Sequence, residues 1–195
     1  LGVEEACDAA TQSVIDEVRA RGVSIVASTG NDGLTVITKP ASCMGVVAVT
    51  AHKRDGDSPL YANVGTGVSI SAPGGDAAIA VASTWNLGTT VPGADSYGHM
   101  YGTSMAAPQA AGVLALMSAA RADLAMPTLE ALMRETARAF PAGTYCATNP
   151  DQLAPGFCGA GLVDAGQAVA RAQSAGSGLP DLEVLQRATA SSWAQ

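Results

Sequence analysis

The stretch Gly102-Thr103-Ser104-Met105-Ala106-Ala107-Pro108 opens a run to Ala120 that carries no charged residue. Ala106, Ala107, Ala110, Ala111, Ala115, Ala119 and Ala120 interleave with Val113, Leu114, Leu116 and Met117. A helix that is apolar all round belongs inside a domain rather than on its surface. Small side chains let neighbouring backbones approach it closely. Pro108 is placed near the start, where a missing N–H does least harm. Ser104 thereby stands where a glycine-led turn enters a helix. There its hydroxyl meets backbone N–H groups and the positive end of the helix dipole, and its own N–H can help hold an oxyanion. A helix-capping serine is the plainer reading of the same position.

Upstream, Ala6, Ala9, Ala10, Val14, Ile15 and Val18 recur at helical spacing, and Gly22 follows Arg19 and Arg21 as an end signal. Short β-branched runs then predict buried strands at 23–27, 45–50 and 68–71, with a weaker fourth from Ile79 to Thr84. Turn clusters at Gly30-Asn31-Asp32-Gly33 and Ala72-Pro73-Gly74-Gly75 close two of them. Helix followed by strand, with further apolar strands, predicts an α/β protein with a largely parallel sheet. Further helices are predicted at about Thr128–Ala139 and Asp164–Ala172. Residues 1–173 read as one domain portion and 174–195 as a linker with a short amphipathic piece.

Composition sets the outer limits. Of 195 residues, 48% are hydrophobic and 14% charged, and the net charge is −7. A disordered tail would be more polar. An acidic chain without a cluster of Lys and Arg is a poor nucleic-acid binder, so no nucleic-acid partner is expected. No apolar stretch is long enough to span a membrane. The chain starts at Leu1 without Met or a signal-like segment, which reads as a cut end.

A serine nucleophile needs a histidine base, and the base needs an orienting carboxylate. An α/β-hydrolase would carry Gly-x-Ser-x-Gly here and a histidine downstream. Ala106 replaces the second glycine, and neither histidine, His52 or His99, follows Ser104, so an esterase of that kind is excluded. His52, in a charged loop, and His99, in a turn-rich stretch, both read as surface histidines. If Ser104 is catalytic, its partners lie outside this chain.

The Gly102–Pro108 stretch closely resembles the Gly-Thr-Ser-Met-Ala-x-Pro signature around the nucleophile of subtilisin-like serine proteases, the subtilases. Five further landmarks resemble the family's in order: Val26-Ala27-Ser28-Thr29-Gly30-Asn31, the segment from Pro40 to Val49, Tyr61-Ala62-Asn63-Val64-Gly65, Ser71-Ala72-Pro73-Gly74, and Gly159-Ala160-Gly161-Leu162-Val163-Asp164-Ala165. The resemblance covers about residues 1–172. It implies a three-layer subtilisin-like α/β fold with a mostly parallel central sheet, of which this chain holds only the C-terminal part. It makes Ser104 the nucleophile and Asn31 the side-chain donor to the oxyanion, although Asn31 also reads as an ordinary turn residue. Ser28, Thr29 and Gly30 become one wall of the substrate pocket, and Met100 and Tyr101 lie on the leaving-group side or serve packing.

In subtilases the triad runs Asp, His, Ser. The family's Asp-x-Gly and His-Gly-Thr motifs are absent in matching context. The implied partner is therefore an N-terminal segment of the same protease, separated by internal cleavage. That reading is preferred over a truncated chain or an inactive scaffold module because half a parallel sheet exposes an apolar edge. The expected activity is that of a secreted serine endopeptidase on protein or peptide substrates. The four cysteines fit an extracytoplasmic setting; the family arrangement implies that Cys7 lies near Cys43, and Cys146 and Cys158 bracket the loop 147–157, so Cys7–Cys43 and Cys146–Cys158 are expected from the three possible pairings. A four-cysteine metal site is disfavoured because no Cys-x-x-Cys pair exists. The chemistry requires no cofactor. Subtilases commonly bind structural calcium; Asp55, Asp57 and Asp76 are the carboxylates to consider, though they read more simply as solvated loop residues.

Overall fold

Val46–His52 forms the strand around which the rest is built, and all seven of its residues are buried. The run Val-Val-Ala-Val-Thr-Ala alternates its side chains between two covered faces, as a central parallel strand requires. The computed structural model describes residues 6–148 and 157–176.

In chain order the elements are α1 (Ala9–Ala20), β1 (Ile25–Ser28), β2 (Val46–His52), β3 (Ile70–Pro73), β4 (Val81–Asn86), β5 (Asp95–Met100), α2 (Thr103–Ala120), α3 (Met126–Glu135), α4 (Tyr145–Thr148) and α5 (Ala165–Ser174). The first three strands form a parallel sheet ordered β1-β2-β3. Val26 pairs with Val47, and Val49 with Ile70. One face of β2, through Val47, Val49 and Ala51, packs into a core shared with α2, α3 and α5. The other face meets Ile37, Ala41 and Val68 through Ala48, and Ile15 of α1 through Val46. The result is helix, sheet and helix in three layers, with a parallel central sheet as expected.

Asp8 starts α1 by accepting a hydrogen bond from the Thr11 N–H at 2.8 Å. Arg19, near its end, reaches buried Glu130 of α3 through two hydrogen bonds of 2.9 and 3.1 Å, and Ser24 Oγ donates to the same carboxylate at 2.6 Å. These three bonds satisfy a charge that would otherwise be costly to bury. Cys7–Cys43 fastens the segment before α1 to the loop before β2, with a Cα–Cα distance of 4.9 Å. Cys146–Cys158, at 6.0 Å, joins α4 to the segment after residue 156.

Five expectations are corrected. The fourth apolar run does not join the parallel sheet. It begins β4, which pairs antiparallel with β5 in a separate hairpin. Asn86 secures the tip, accepting from the N–H groups of Gly88 and Gly93 and donating to the Gly93 carbonyl. His99 thus lies on a strand, not in a turn. The helix predicted at 128–139 ends at Glu135, because Arg138 leaves it to pair with Leu162 in an antiparallel bridge. Pro108 is the sixth residue of α2, inside the helix, and removes the N–H that would bond the Ser104 carbonyl. Finally, α2 is not covered all round. Ser104, Pro108, Gly112, Ala115, Leu116 and Ala119 form an exposed stripe at helical spacing, and Leu116 is 58% exposed. The amphipathic piece expected within 174–195 falls mostly outside the described residues.

His52 is the further correction. β2 runs two residues beyond the predicted strand and carries His52 opposite Pro73, where it is 6% exposed. Its Nδ1 lies 3.0 Å from Ser71 Oγ. Burial, aided by the nearby Arg138 charge and opposed by Asp55, depresses its pKa to about 4. A histidine buried neutral stabilises the fold above its ordinary pKa of about 6.5, and that contribution is lost as pH falls from there towards 4. The loss is on the order of 3 kcal/mol. His52→Gln should therefore flatten the dependence of Tm on pH across this window. An unchanged slope would count against the assignment.

Candidate active site

β1 ends at Ser28, and the chain continues through Thr29 and Gly30 to Asn31. Thr29 is fully buried. Its N–H extends the parallel ladder to the Val49 carbonyl at 3.1 Å, its carbonyl accepts from the Thr38 N–H at 3.5 Å, and its hydroxyl donates to the Asn63 carbonyl at 2.7 Å. Thr29 therefore uses its polar groups internally. Ser28, on an edge strand, and Gly30 are half-buried.

Gly30 has a φ of +113°, a conformation that side-chain-bearing residues rarely adopt. The chain turns there and exposes Asn31. The Asn31 Oδ1 accepts two hydrogen bonds from Thr103, from the N–H at 2.9 Å and from the hydroxyl at 2.8 Å. Two donors on one oxygen fix which way the amide points. No described residue accepts a hydrogen bond from Asn31 Nδ2, so this donor is left over. Asn31 and Thr103 lie 72 residues apart in the chain, and this contact joins the end of β1 to the start of α2.

Gly102 caps α2 with a φ of +149°, and its N–H donates to the Gly74 carbonyl at 3.0 Å. A Cβ at Gly102 would stand 3.4 Å from Asn31 Nδ2. The glycine therefore keeps the space beside that amide clear. Ser104 follows as the second helical residue and is exposed. Its position in the first turn leaves its N–H without an intrahelical acceptor. Among the described residues none hydrogen-bonds its hydroxyl. His52 is committed to Ser71, and neither His52 nor the exposed His99 hydrogen-bonds Ser104.

Met100 and Tyr101 lead into the glycine and are half-exposed. The Tyr101 ring packs against Tyr61 at 5.6 Å between centroids. The Tyr61 hydroxyl donates to the Gly75 carbonyl at 2.8 Å, and burial pushes its pKa up to about 12.

The candidate calcium carboxylates do not converge. Asp55 and Asp57 flank the Lys53 ammonium at 3.4 and 3.2 Å, while Asp76 accepts from the N–H groups of Ala78 and Ile79. Among the described residues there is no group of three or more His, Cys, Asp or Glu suited to a metal. These three carboxylates do not offer calcium a ligand shell. No described helix is long and apolar enough to cross a membrane.

Sequence reasoning missed Thr103 as the residue that orients Asn31. Its signal was only its adjacency to Ser104.

The chain is similar to known proteases in sequence and in fold. The Extracellular protease of Xanthomonas campestris pv. campestris is 41% identical over 174 residues, covering 88% of this chain and 28% of that protein. Subtilisin BL of Lederbergia lenta is 33% identical over 109 residues, 56% of this chain and 36% of that one. Among solved structures, a protease from Pseudoalteromonas arctica superposes with a TM-score of 0.77 at 38% identity, over 88% of this chain and 49% of that one. The chain thus spans half or less of the length of these proteins. The model of the subtilase family matches residues 2–176, and the chain belongs to that family.

Proposed function

We propose that this chain is the nucleophile-bearing part of a secreted serine endopeptidase. Ser104 attacks the scissile carbonyl carbon, and a histidine from an N-terminal segment takes the hydroxyl proton. An aspartate of that segment orients the histidine. The oxyanion accepts hydrogen bonds from Asn31 Nδ2 and the Ser104 N–H. Collapse breaks the C–N bond, with the histidine returning its proton to the leaving amine. Water, deprotonated by the same histidine, then hydrolyses the acyl-enzyme.

The observation that carries this reading is the Asn31 amide, held by Thr103 through its oxygen and left with a free N–H group beside Gly102. A turn asparagine would spend its side chain within its own loop. The exposed apolar stripe of α2, which begins at Ser104, and the open edge of β1 support this reading, since both offer surface that a further segment of the protease would cover. Secretion is supported by the two disulfides and by the word extracellular in the names of two relatives. Substrates are extended peptides that lie along Ser28–Gly30 on one side and reach Met100 and Tyr101 on the other.

A serine-directed phosphonyl fluoride, applied to the protease assembled with its Asp- and His-bearing segment, should add one label, on the peptide containing Ser104. Absence of labelling in the intact assembly would overturn the proposal. It would favour an inactive scaffold module, which the lack of any described base beside Ser104 also allows. Replacement of the aspartate or histidine in the upstream segment would point the same way.

A further inference from the structure

We propose that Asn63 is a positioning residue that holds the backbone on both sides of Asn31, and so sets where the oxyanion donor stands. The inference rests on the reading of Asn31 just given. Asn63 is fully buried in the loop between β2 and β3. Its Oδ1 accepts from the N–H groups of Asp32 at 2.9 Å and Leu34 at 3.0 Å. Its own N–H donates to the Gly30 carbonyl at 3.0 Å. Its carbonyl accepts from the hydroxyls of Thr29 at 2.7 Å and Thr50 at 2.9 Å. Thr29, Gly30, Asp32 and Leu34 are thus all tied to one residue, which also grips the central strand through Thr50. Asn31 itself is left to Thr103.

The asparagine is not there to fill space. Two N–H donors fix its amide orientation, and this turns Nδ2 towards Gly30, where it is buried with no hydrogen-bond partner. A Cβ on Gly30 would stand 2.4 Å from that nitrogen. An apolar residue of similar volume would avoid the unpaired donor, so what Asn63 contributes is the acceptor. An aspartate would supply the same acceptor, with a second oxygen in place of the orphan N–H group whose burial costs stability. Fastened on both flanks, Asn31 can swing neither away from Thr103 nor out of line with Ser104. An oxyanion donor works in the transition state, so its displacement should lower kcat rather than raise KM.

The test is a double-mutant cycle in the assembled protease, with steady-state kinetics on a chromogenic peptide and a thermal transition for every variant. Asn63→Leu should lower kcat about a hundredfold, as small misplacements of catalytic groups do, with KM little changed. Asn63→Asp, which keeps both accepted bonds, should restore much of that kcat in the folded enzyme, at a lower thermal transition because a carboxylate is buried. In an Asn31→Ala background, Asn63→Leu should cause little further loss, because the group it positions is gone. If Asn63→Leu does not fold, Asn63→Ser enters the same cycle, with a smaller loss that likewise disappears in the Asn31→Ala background. The inference is overturned if the losses multiply, if Asp and Leu behave alike, or if only KM moves. In those cases the role of Asn31 stands provided that Asn31→Ala alone lowers kcat. If Asn31→Ala leaves kcat unchanged, both readings fall.

Discussion

Ser104→Ala in the assembled protease is expected to lower kcat about a millionfold, the size measured for the nucleophile of subtilisin and carried over to this relative, and to leave KM nearly unchanged. The direction follows from the geometry. Ser104 is exposed, and none of the described residues hydrogen-bonds its hydroxyl. Removing that oxygen leaves no internal donor or acceptor stranded. The first turn of α2 is held without it, through Gly102 on the Gly74 carbonyl and Thr103 on Asn31. The thermal transition should therefore stay within about 1 °C of the parent, since exposed changes of this kind are near neutral. Activity against a peptide substrate and a melting curve on the same sample decide the matter. A variant that keeps its turnover would remove Ser104 from the chemistry. One that melts far earlier would make it a structural cap.

Substitutions of Asn31 separate its two functions. Asn31→Ala is expected to lower kcat about 10²–10³-fold, again the figure measured for the corresponding donor of subtilisin and carried over from it. Alanine also deprives the Thr103 N–H of its acceptor, whereas the Thr103 hydroxyl retains the Gly30 carbonyl at 3.2 Å. Some stability should go with the activity, about 1 kcal/mol. Asn31→Asp is the sharper experiment. It keeps an oxygen for both Thr103 donors and replaces only the free Nδ2, now with an acceptor that repels the oxyanion. Its kcat should fall at least as far as that of Asn31→Ala while its melting temperature holds. If Asn31→Asp retains turnover, the Nδ2 group is not the oxyanion donor, and the amide serves only to join β1 to α2.

The two substitutions bear differently on what could be read from residues alone. Ser104 is legible because a glycine-led turn into an uncharged helix is a local pattern, and because the surrounding motif is specific. Asn31 is legible as part of a landmark, but its orientation is not, since both its fixing bonds come from Thr103 in a distant element. Asn63 stands inside another landmark with nothing in its neighbours to mark it. Its role emerges only when Gly30, Asp32 and Leu34 are seen to fold back onto it.

The same division runs through the fold. Val46–His52 and Ile70–Pro73 announce themselves because β-branched and small apolar residues suit a strand covered on both faces. Asp95-Ser96-Tyr97-Gly98-His99-Met100 does not, because only its pairing partner β4 makes it a strand. Residue order was enough for the α/β class, the succession of the parallel strands' segments, the helix that carries Ser104 and the supply of four cysteines. These follow from propensity and periodicity, which act between near neighbours in the chain. It took the folded chain to bury His52 and hold it near Ser71, to leave an apolar stripe of α2 open from Ser104 to Ala119, and to make Asn31 present its N–H group rather than its oxygen. Those outcomes depend on which donors and surfaces meet across tens of residues, and packing, not local preference, sets them.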